Sequence, residues 1–131
     1  MKIQKKYHFY AGHRNKGGGE KCGRLHGHTY QIECEFEFNQ INEFGVCFLF
    51  SDIDAIVDPI IKKYDHYLLL YKNDPLALIL KQSKEEYYEL PFETSAENLA
   101  KHIFKEIKEK LPIKKIELAE TLSSKIIYVE D

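Results

Sequence analysis

Residues 26–38 read HGHTYQIECEFEF and form the clearest strand pattern in the chain. From Tyr30 to Phe38, aromatic or aliphatic residues alternate with glutamine and glutamate. Because neighbouring side chains on a β-strand point to opposite faces, the alternation predicts a strand with one face in the core and the other polar. Such half-buried strands are typical of antiparallel sheets. His26 and His28 have the same parity as Tyr30, so both imidazoles are expected on one side of the strand.

The flanking segments predict further strands around this one. Residues 3–13 alternate more loosely and predict a first strand that ends at His13. Turn residues over 39–45, followed by the apolar run 46–50, predict a hairpin with a returning strand. Two closing strands are predicted over residues 114–120 and 125–130.

Helical periodicity appears after the hairpin. Apolar residues between Ile53 and Tyr64 recur at helical spacing and follow Ser51 or Asp52 as a capping residue. Pro59 lies inside this pattern, which predicts a kink or a break.

A second helix is predicted to begin at the capping-box pattern of residues 94–97 and to end before Pro112. Residues 67–91 mix a leucine run with a charged patch and are predicted mostly as loop. The chain is therefore expected to form one α+β domain, residues 1–131, with a four-stranded antiparallel sheet and two helices on one face. Two open sheet edges favour a homo-oligomer that joins sheets.

Composition excludes several classes of protein. The chain has 19 basic and 21 acidic residues, which argues against the basic face that nucleic-acid binding requires. The apolar runs are far shorter than the roughly 20 residues of a membrane span. No export signal is recognised, so a cytoplasmic protein without a membrane partner is expected. Three cysteines, Cys22, Cys34 and Cys47, do not suit a disulfide framework and are interpreted as thiols.

Three histidines form a candidate metal site. His26 and His28 share one face of their strand, and His13 ends a neighbouring strand. Three imidazoles would leave a fourth tetrahedral position open, as in catalytic zinc sites. Two alternatives remain: Cys22 closes the site as a fourth ligand of a structural zinc, or the histidines are ordinary partly buried side chains. As a catalytic group instead, Cys22 needs a lowered pKa, which Lys21, Arg24 and a nearby dication would provide.

Several ionisable residues lie outside this cluster. Asp65 and His66 end the first predicted helix; Asp65 orients His66 for proton transfer, or His66 simply interacts with the helix end. Glu120 is either a solvated charge at a strand end or a carboxylate that binds an amidine-like ring edge of a pterin or guanine. Glu97 has an adequate explanation as part of the helix cap.

Five motifs in this order resemble the 6-pyruvoyltetrahydropterin synthase family, and within it the 6-carboxytetrahydropterin synthase branch of queuosine biosynthesis. The resemblance covers nearly the whole chain. Its motifs are Phe9-x-Ala11-x-His13, Cys22-x-x-Leu25-His26-Gly27-His28-x-Tyr30, Asp65-His66, Ser95-Ala96-Glu97-Asn98-Leu99-Ala100 and Glu120-Thr121 with Tyr128 behind it.

The resemblance implies a tunnelling fold, in which three subunits close their sheets into a β-barrel and two trimers form a hexamer with sites between subunits. It implies zinc on His13, His26 and His28. It also implies a catalytic role for Cys22 as proton acceptor, a relay through Asp65 and His66, and Glu120 as pterin anchor or relay member. Glu97 is a further candidate for substrate binding.

The implied substrate is 7,8-dihydroneopterin triphosphate, converted to 6-carboxy-5,6,7,8-tetrahydropterin, acetaldehyde and triphosphate. The expected mechanism has zinc acidify a side-chain carbon, Cys22 remove its proton and His66 return protons. Lys16, Lys21 and Arg24 are candidates for binding the triphosphate. The alternatives are the sibling 6-pyruvoyl enzyme, which only eliminates triphosphate, and a non-enzymatic oligomer with a structural zinc.

Overall fold

In a computed structural model, which describes residues 1–130, the chain forms six strands and three helices. In chain order they are β1 (Lys2–His13), β2 (His26–Glu37), α1 (Phe50–Lys62), β3 (Tyr67–Tyr71), α2 (Pro75–Gln82), β4 (Tyr88–Leu90), α3 (Ala96–Lys108), β5 (Ile113–Ala119) and β6 (Ile126–Val129). Among these residues, no helix has the length and apolar character needed to cross a bilayer.

All six strands join one sheet in the order β4-β3-β1-β2-β5-β6. Strands β1 and β2 pair antiparallel over their whole length, from Lys2 opposite Glu37 to His13 opposite His26. Strands β5 and β6 extend the antiparallel part, whereas β3 pairs parallel with both β1 and β4. The predicted four-stranded antiparallel sheet with two helices is therefore too small. The additional elements β3, α2 and β4 lie in residues 67–91, which were predicted as loop.

The core lies between one face of the sheet and helices α1 and α3. Phe9 and Tyr30, paired across β1 and β2, stack with ring centroids 4.7 Å apart and are fully buried. The apolar faces of both helices join this cluster, as the periodicity of each helix predicts. The opposite face of the sheet is polar, and ion pairs of Glu35 and Glu117 with lysines such as Lys115 satisfy its charges. The sheet thus has the two unlike faces that its alternation predicts.

The predicted returning strand at residues 46–50 is wrong. The side-chain oxygen of Asn42 accepts hydrogen bonds from the backbone N–H groups of Phe44 and Val46, and the backbone N–H of Asn42 donates to the Val46 carbonyl. These bonds close a compact turn and leave no extended segment to pair with β2. The chain then enters α1 directly at Phe50.

Helix α1 differs from its prediction in two details. It begins before Ser51 and Asp52, and its N-cap, Leu49, makes no side-chain capping bond. Pro59 lies inside the helix without ending it. Pro59 and Ala55, whose carbonyl loses its helical donor, are both exposed, so water can satisfy that carbonyl.

The start of α3 also differs from the predicted capping box. Ser95, not Thr94, is the N-cap, and its hydroxyl accepts a hydrogen bond from Asn98 N at 3.2 Å. Glu97 therefore lies one position earlier than the reciprocal partner of a capping box would. The prediction that Glu97 is a capping residue is therefore wrong. Because Thr94 does not cap the helix, its side chain can contact the end of β1.

Candidate active site

Three imidazoles meet where β1 and β2 end. His13 lies directly opposite His26 in the register, and His28 lies two residues further along β2 on the same face. The nitrogen atoms that could bind a metal lie within 4.8 Å of one another. His13 is buried, while His26 and His28 are partly buried. The parity of the strands and their pairing therefore bring together the three residues that the sequence analysis selected.

Backbone carbonyls set the tautomer of two of these histidines. His13 Nδ1 lies 2.6 Å from the Thr94 carbonyl, and His26 Nδ1 lies 2.6 Å from the Arg24 carbonyl. Because a carbonyl oxygen only accepts, each Nδ1 must carry the proton and donate it. In the neutral rings the lone pair is then on Nε2. Metal-binding histidines are commonly oriented in this way by a hydrogen bond from their second nitrogen.

Glu120 faces two of the Nε2 atoms. Its Oε2 lies 3.1 Å from His13 Nε2 and 3.0 Å from His28 Nε2. Neither nitrogen has a hydrogen bond of good geometry within residues 1–130, although both are buried. A carboxylate oxygen against a lone pair is repulsive unless a proton or a metal ion lies nearby.

This arrangement fits a divalent metal ion. Buried nitrogens without partners are rare in folded proteins, and a cation with imidazole ligands resolves both of them. Burial lowers the pKa of His28 below its ordinary value, which favours the neutral ring that metal binding requires. His13, His26 and His28 are the residues that would hold the ion.

Cys22 lies beside the histidines in a tightly folded loop. Its carbonyl accepts a hydrogen bond of 2.6 Å from Asn15 N, and Asn15 caps the short turn at Lys16–Gly18. A methyl group at Gly18 would lie only 2.7 Å from the Cys22 Cβ, so only glycine fits there. The thiol is exposed and lines the same cavity as the three imidazoles. The loop therefore presents the sulfur at a position fixed by its backbone.

The cavity has a volume of about 280 Å³, enough for a small ring system. Both predicted carboxylates, Glu97 and Glu120, line it. The sequence analysis missed three polar residues that also line it, because neither periodicity nor metal-ligand spacing singles them out: Asn15, Ser124 and Lys125.

The three candidates for binding the triphosphate do not line this cavity. Lys16, Lys21 and Arg24 are all exposed and are not among its lining residues. The guanidinium of Arg24 instead pairs with Glu20 at 2.9 Å. What Arg24 contributes to the cluster is its backbone carbonyl, which holds His26.

Asp65 and His66 lie on the other face of β1. Asp65 accepts a hydrogen bond of 2.9 Å from Tyr10 N, and its second oxygen lies 2.8 Å from His66 Nδ1. The His66 ring packs edge-on against Tyr10, which is exposed, whereas His13 three residues later faces the core. Asp65 therefore contacts the His66 ring, and the sheet separates this pair from Cys22 of the same chain.

His66 also has an unusual backbone. Its φ angle is +65°, in the left-handed region that residues other than glycine seldom adopt. Its N–H donates to the Tyr10 carbonyl at 2.6 Å. The bonds of residues 65 and 66 to Tyr10 hold the turn in this strained form, and such strain is typical of functional sites.

Comparison with known proteins places this site in a family. The family model of 6-pyruvoyl tetrahydropterin synthase matches residues 2–131. The chain belongs to the 6-pyruvoyl tetrahydropterin synthase family. It is 31% identical over 140 residues to the 6-carboxy-5,6,7,8-tetrahydropterin synthase of Haemophilus influenzae, covering 99% of both chains. The relative of the same name from Aquifex aeolicus is 28% identical over 158 residues, and the alignment covers 98% of both chains.

Solved structures confirm the predicted α+β tunnelling fold of this family. An uncharacterized protein from Wolinella succinogenes superposes with a TM-score of 0.84 at 17% identity, covering 100% of this chain and 98% of that one. The 6-pyruvoyl tetrahydropterin synthase of Caenorhabditis elegans superposes with a TM-score of 0.73, also at 17% identity, covering 100% and 96%. The resemblance deduced from the five motifs is therefore confirmed, and the chain is a member of a pterin synthase enzyme family.

Proposed function

We propose that this family member is a zinc-dependent 6-carboxy-5,6,7,8-tetrahydropterin synthase of the queuosine pathway. It would convert 7,8-dihydroneopterin triphosphate and one water molecule into 6-carboxy-5,6,7,8-tetrahydropterin, acetaldehyde and triphosphate. The observation that carries the proposal is one cavity that contains three imidazoles with free Nε2 atoms, a thiol and two carboxylates. The names of its relatives favour the carboxy product over the pyruvoyl product.

A zinc ion on His13, His26 and His28 would supply Lewis acidity beside the side chain of the substrate. Cys22 would act as the base that takes a proton from a side-chain carbon. Lys125 lines the same cavity, where its ammonium group forms an ion pair with Glu117.

Glu120 and Glu97 are the candidates for holding the pterin ring. A carboxylate accepts two parallel hydrogen bonds from an amidine-like ring edge, which fixes the orientation of the ring. Glu120 lies at the imidazoles, whereas Glu97 belongs to the first turn of α3. With one carboxylate on the ring edge, the side chain of the substrate would extend towards Cys22.

The proton donor would come from a neighbouring subunit. Asp65 and His66 lie across the sheet from Cys22 of their own chain, and the His66 side chain is 76% exposed. A homo-oligomer, a trimer or a dimer of trimers, would bring His66 of one copy to the cavity of the next. His66, oriented by Asp65, would then return protons as triphosphate leaves.

The decisive experiment is incubation of the zinc-loaded protein with 7,8-dihydroneopterin triphosphate and identification of the products. We expect 6-carboxy-5,6,7,8-tetrahydropterin and an equal amount of acetaldehyde. A pyruvoyl product without acetaldehyde would assign the sibling reaction instead. Cys22→Ala should abolish turnover, and Cys47→Ala, which changes the other accessible thiol, should not.

The absence of any pterin turnover would favour a structural zinc. In that case Cys22 would be a metal ligand and would resist alkylating reagents. The catalytic proposal predicts the opposite: Cys22 reacts readily, and bound substrate protects it.

A further inference from the structure

Thr94 is 1% exposed and joins the start of α3 to the end of β1. Its carbonyl accepts the hydrogen bond from His13 Nδ1, and its hydroxyl Oγ1 donates to the Arg14 carbonyl at 3.2 Å. The hydroxyl also lies 3.4 Å from His13 Nδ1. One buried residue therefore holds both His13 and the residue that follows it.

The side chain of Arg14 is fixed from another direction. Its guanidinium forms a two-point ion pair with Asp74, with Nε 2.8 Å from Oδ2 and Nη2 bonded to Oδ1. Asp74 is also the N-cap of α2, where it accepts a hydrogen bond of 2.9 Å from Leu76 N. Both side chains are mostly buried, so the pair is shielded from water more than a surface ion pair is.

We propose that Thr94 and the Arg14–Asp74 ion pair form a positioning unit for His13, here called the Thr94 clamp. The clamp keeps the proton of His13 on Nδ1 and directs the Nε2 lone pair towards His26 and His28. The inference rests on the proposed function, because it concerns a metal held by these histidines. It assigns a role to Asp74, a residue that touches neither the cavity nor the histidines.

Loss of an outer hydrogen-bond partner typically weakens metal binding by about 10- to 100-fold. Thr94→Val removes the hydroxyl but keeps the carbonyl and the branched shape, so we expect the Kd for Zn²⁺ to rise about tenfold. Thr94→Ser keeps the hydroxyl and should restore binding. Asp74→Asn keeps a good helix cap but loses the charge that Arg14 binds, and should raise the Kd about threefold.

The test uses the full chain, stripped of metal and titrated with Zn²⁺ in competition with a chromophoric chelator. Glu89→Gln removes the carboxylate of a different ion pair, with Lys81, and serves as the matched control with unchanged Kd. In parallel, long-range ¹H–¹⁵N correlation spectra of the metal-free proteins report the tautomer of His13. Without the hydroxyl bond to the Arg14 carbonyl, the Thr94 carbonyl is held less firmly against His13 Nδ1. We therefore expect a protonated Nδ1 in the wild type and in Thr94→Ser, and a mixture of tautomers in Thr94→Val.

Unchanged Kd values and an unchanged His13 tautomer in folded Thr94→Val and Asp74→Asn would overturn the clamp. If Thr94→Val does not fold, the Kd of Asp74→Asn decides. If the wild-type chain binds no Zn²⁺, the zinc dependence of the proposed function is wrong. The ring nitrogen shifts then still decide whether the clamp sets the tautomer.

Discussion

The carboxylate of Glu120 lies 3.1 Å from His13 Nε2, a nitrogen without a proton in the neutral ring that donates through Nδ1 to Thr94. The carboxylate oxygen and the nitrogen lone pair are both acceptors and repel each other, and a cation bound between them would remove this repulsion. Glu120→Gln would replace the repulsion with an amide N–H that donates to Nε2. We expect the metal-free protein to gain about 1 kcal/mol of unfolding free energy.

The same substitution should weaken metal binding about tenfold, because the amide competes for the lone pair and carries no negative charge. Chemical denaturation of the metal-free protein and chelator competition measure the two effects. Glu97→Gln changes a carboxylate that lines the same cavity but does not contact the imidazoles, and it should leave the metal affinity unchanged. Equal metal affinity of Glu120→Gln and the wild type would refute this interpretation.

Because the backbone of His66 is left-handed, replacing this residue with glycine should preserve or increase stability while activity is lost. Glycine adopts this conformation without the cost of roughly 1 kcal/mol that other residues bear. His66→Gly should therefore leave the unfolding free energy unchanged or raise it, while turnover is lost with the imidazole. Lys84 has a similar φ of +58° far from the cavity, so Lys84→Gly should be stabilising with full activity. Thermal melts and product formation separate the two variants, and an active His66→Gly would contradict the relay.

Shared sites predict complementation between inactive subunits. If Cys22 and His66 of one site come from different chains, Cys22→Ala and His66→Ala are each inactive as pure oligomers. In oligomers reassembled from equal amounts, about one quarter of the sites would hold both native residues. We expect turnover to return to about that fraction of the wild type after unfolding and joint refolding. Sites built within one chain would stay inactive in every mixture.

Two buried tyrosines should respond oppositely to loss of the hydroxyl. Tyr30 OH has no hydrogen-bond partner within residues 1–130, whereas Tyr64 OH donates to Glu106. Tyr30→Phe removes an unsatisfied group and should keep or raise the unfolding free energy, by up to about 1 kcal/mol. Tyr64→Phe should lower it by about 1–3 kcal/mol. Denaturation curves of both variants provide the comparison, and a marked loss in Tyr30→Phe would show that its hydroxyl has a partner.

The ion pair of Asp74 predicts acid sensitivity. The hydrogen bond from Arg14 lowers the pKa of this carboxyl below its ordinary value. A depressed folded-state pKa contributes stability above the unfolded pKa, near 3.9, that is lost as pH falls through the folded value. The stability difference between the wild type and Asp74→Asn should thus be full at pH 7 and vanish in strong acid. If denaturation experiments show a wild-type minus Asp74→Asn difference in unfolding free energy that does not change with pH, the ion pair of Asp74 does not cause acid sensitivity.

Most of the antiparallel sheet and two helices follow from sequence periodicity, but the middle of the chain does not. Strand β3 lies between β4 and β1 in the sheet, and its side chains are largely covered. Its sequence is accordingly a continuous apolar segment. It therefore lacks the alternation that marks a half-buried strand. Strand β4 has only three residues, and α2 only eight, too few to establish a period.

The cluster of three histidines was predictable because its residues lie at strand positions whose parity and pairing are fixed locally. The relation of Cys22 to His66 was not, since it depends on which face of the sheet each occupies after β3 pairs with β1. Thr94 was equally inaccessible: its contacts with Arg14 and His13 join residues 80 and 81 positions apart. No spacing rule connects such distant residues before the helix has packed.

All three imidazoles belong to the first 28 residues, on two strands that pair with each other along their full length. During synthesis on the ribosome, the ligand set is thus complete once this amino-terminal hairpin has emerged, well before the segment with Thr94 is translated. An ion captured at that stage would tie the two strand ends together and serve as a template on which the later helices assemble.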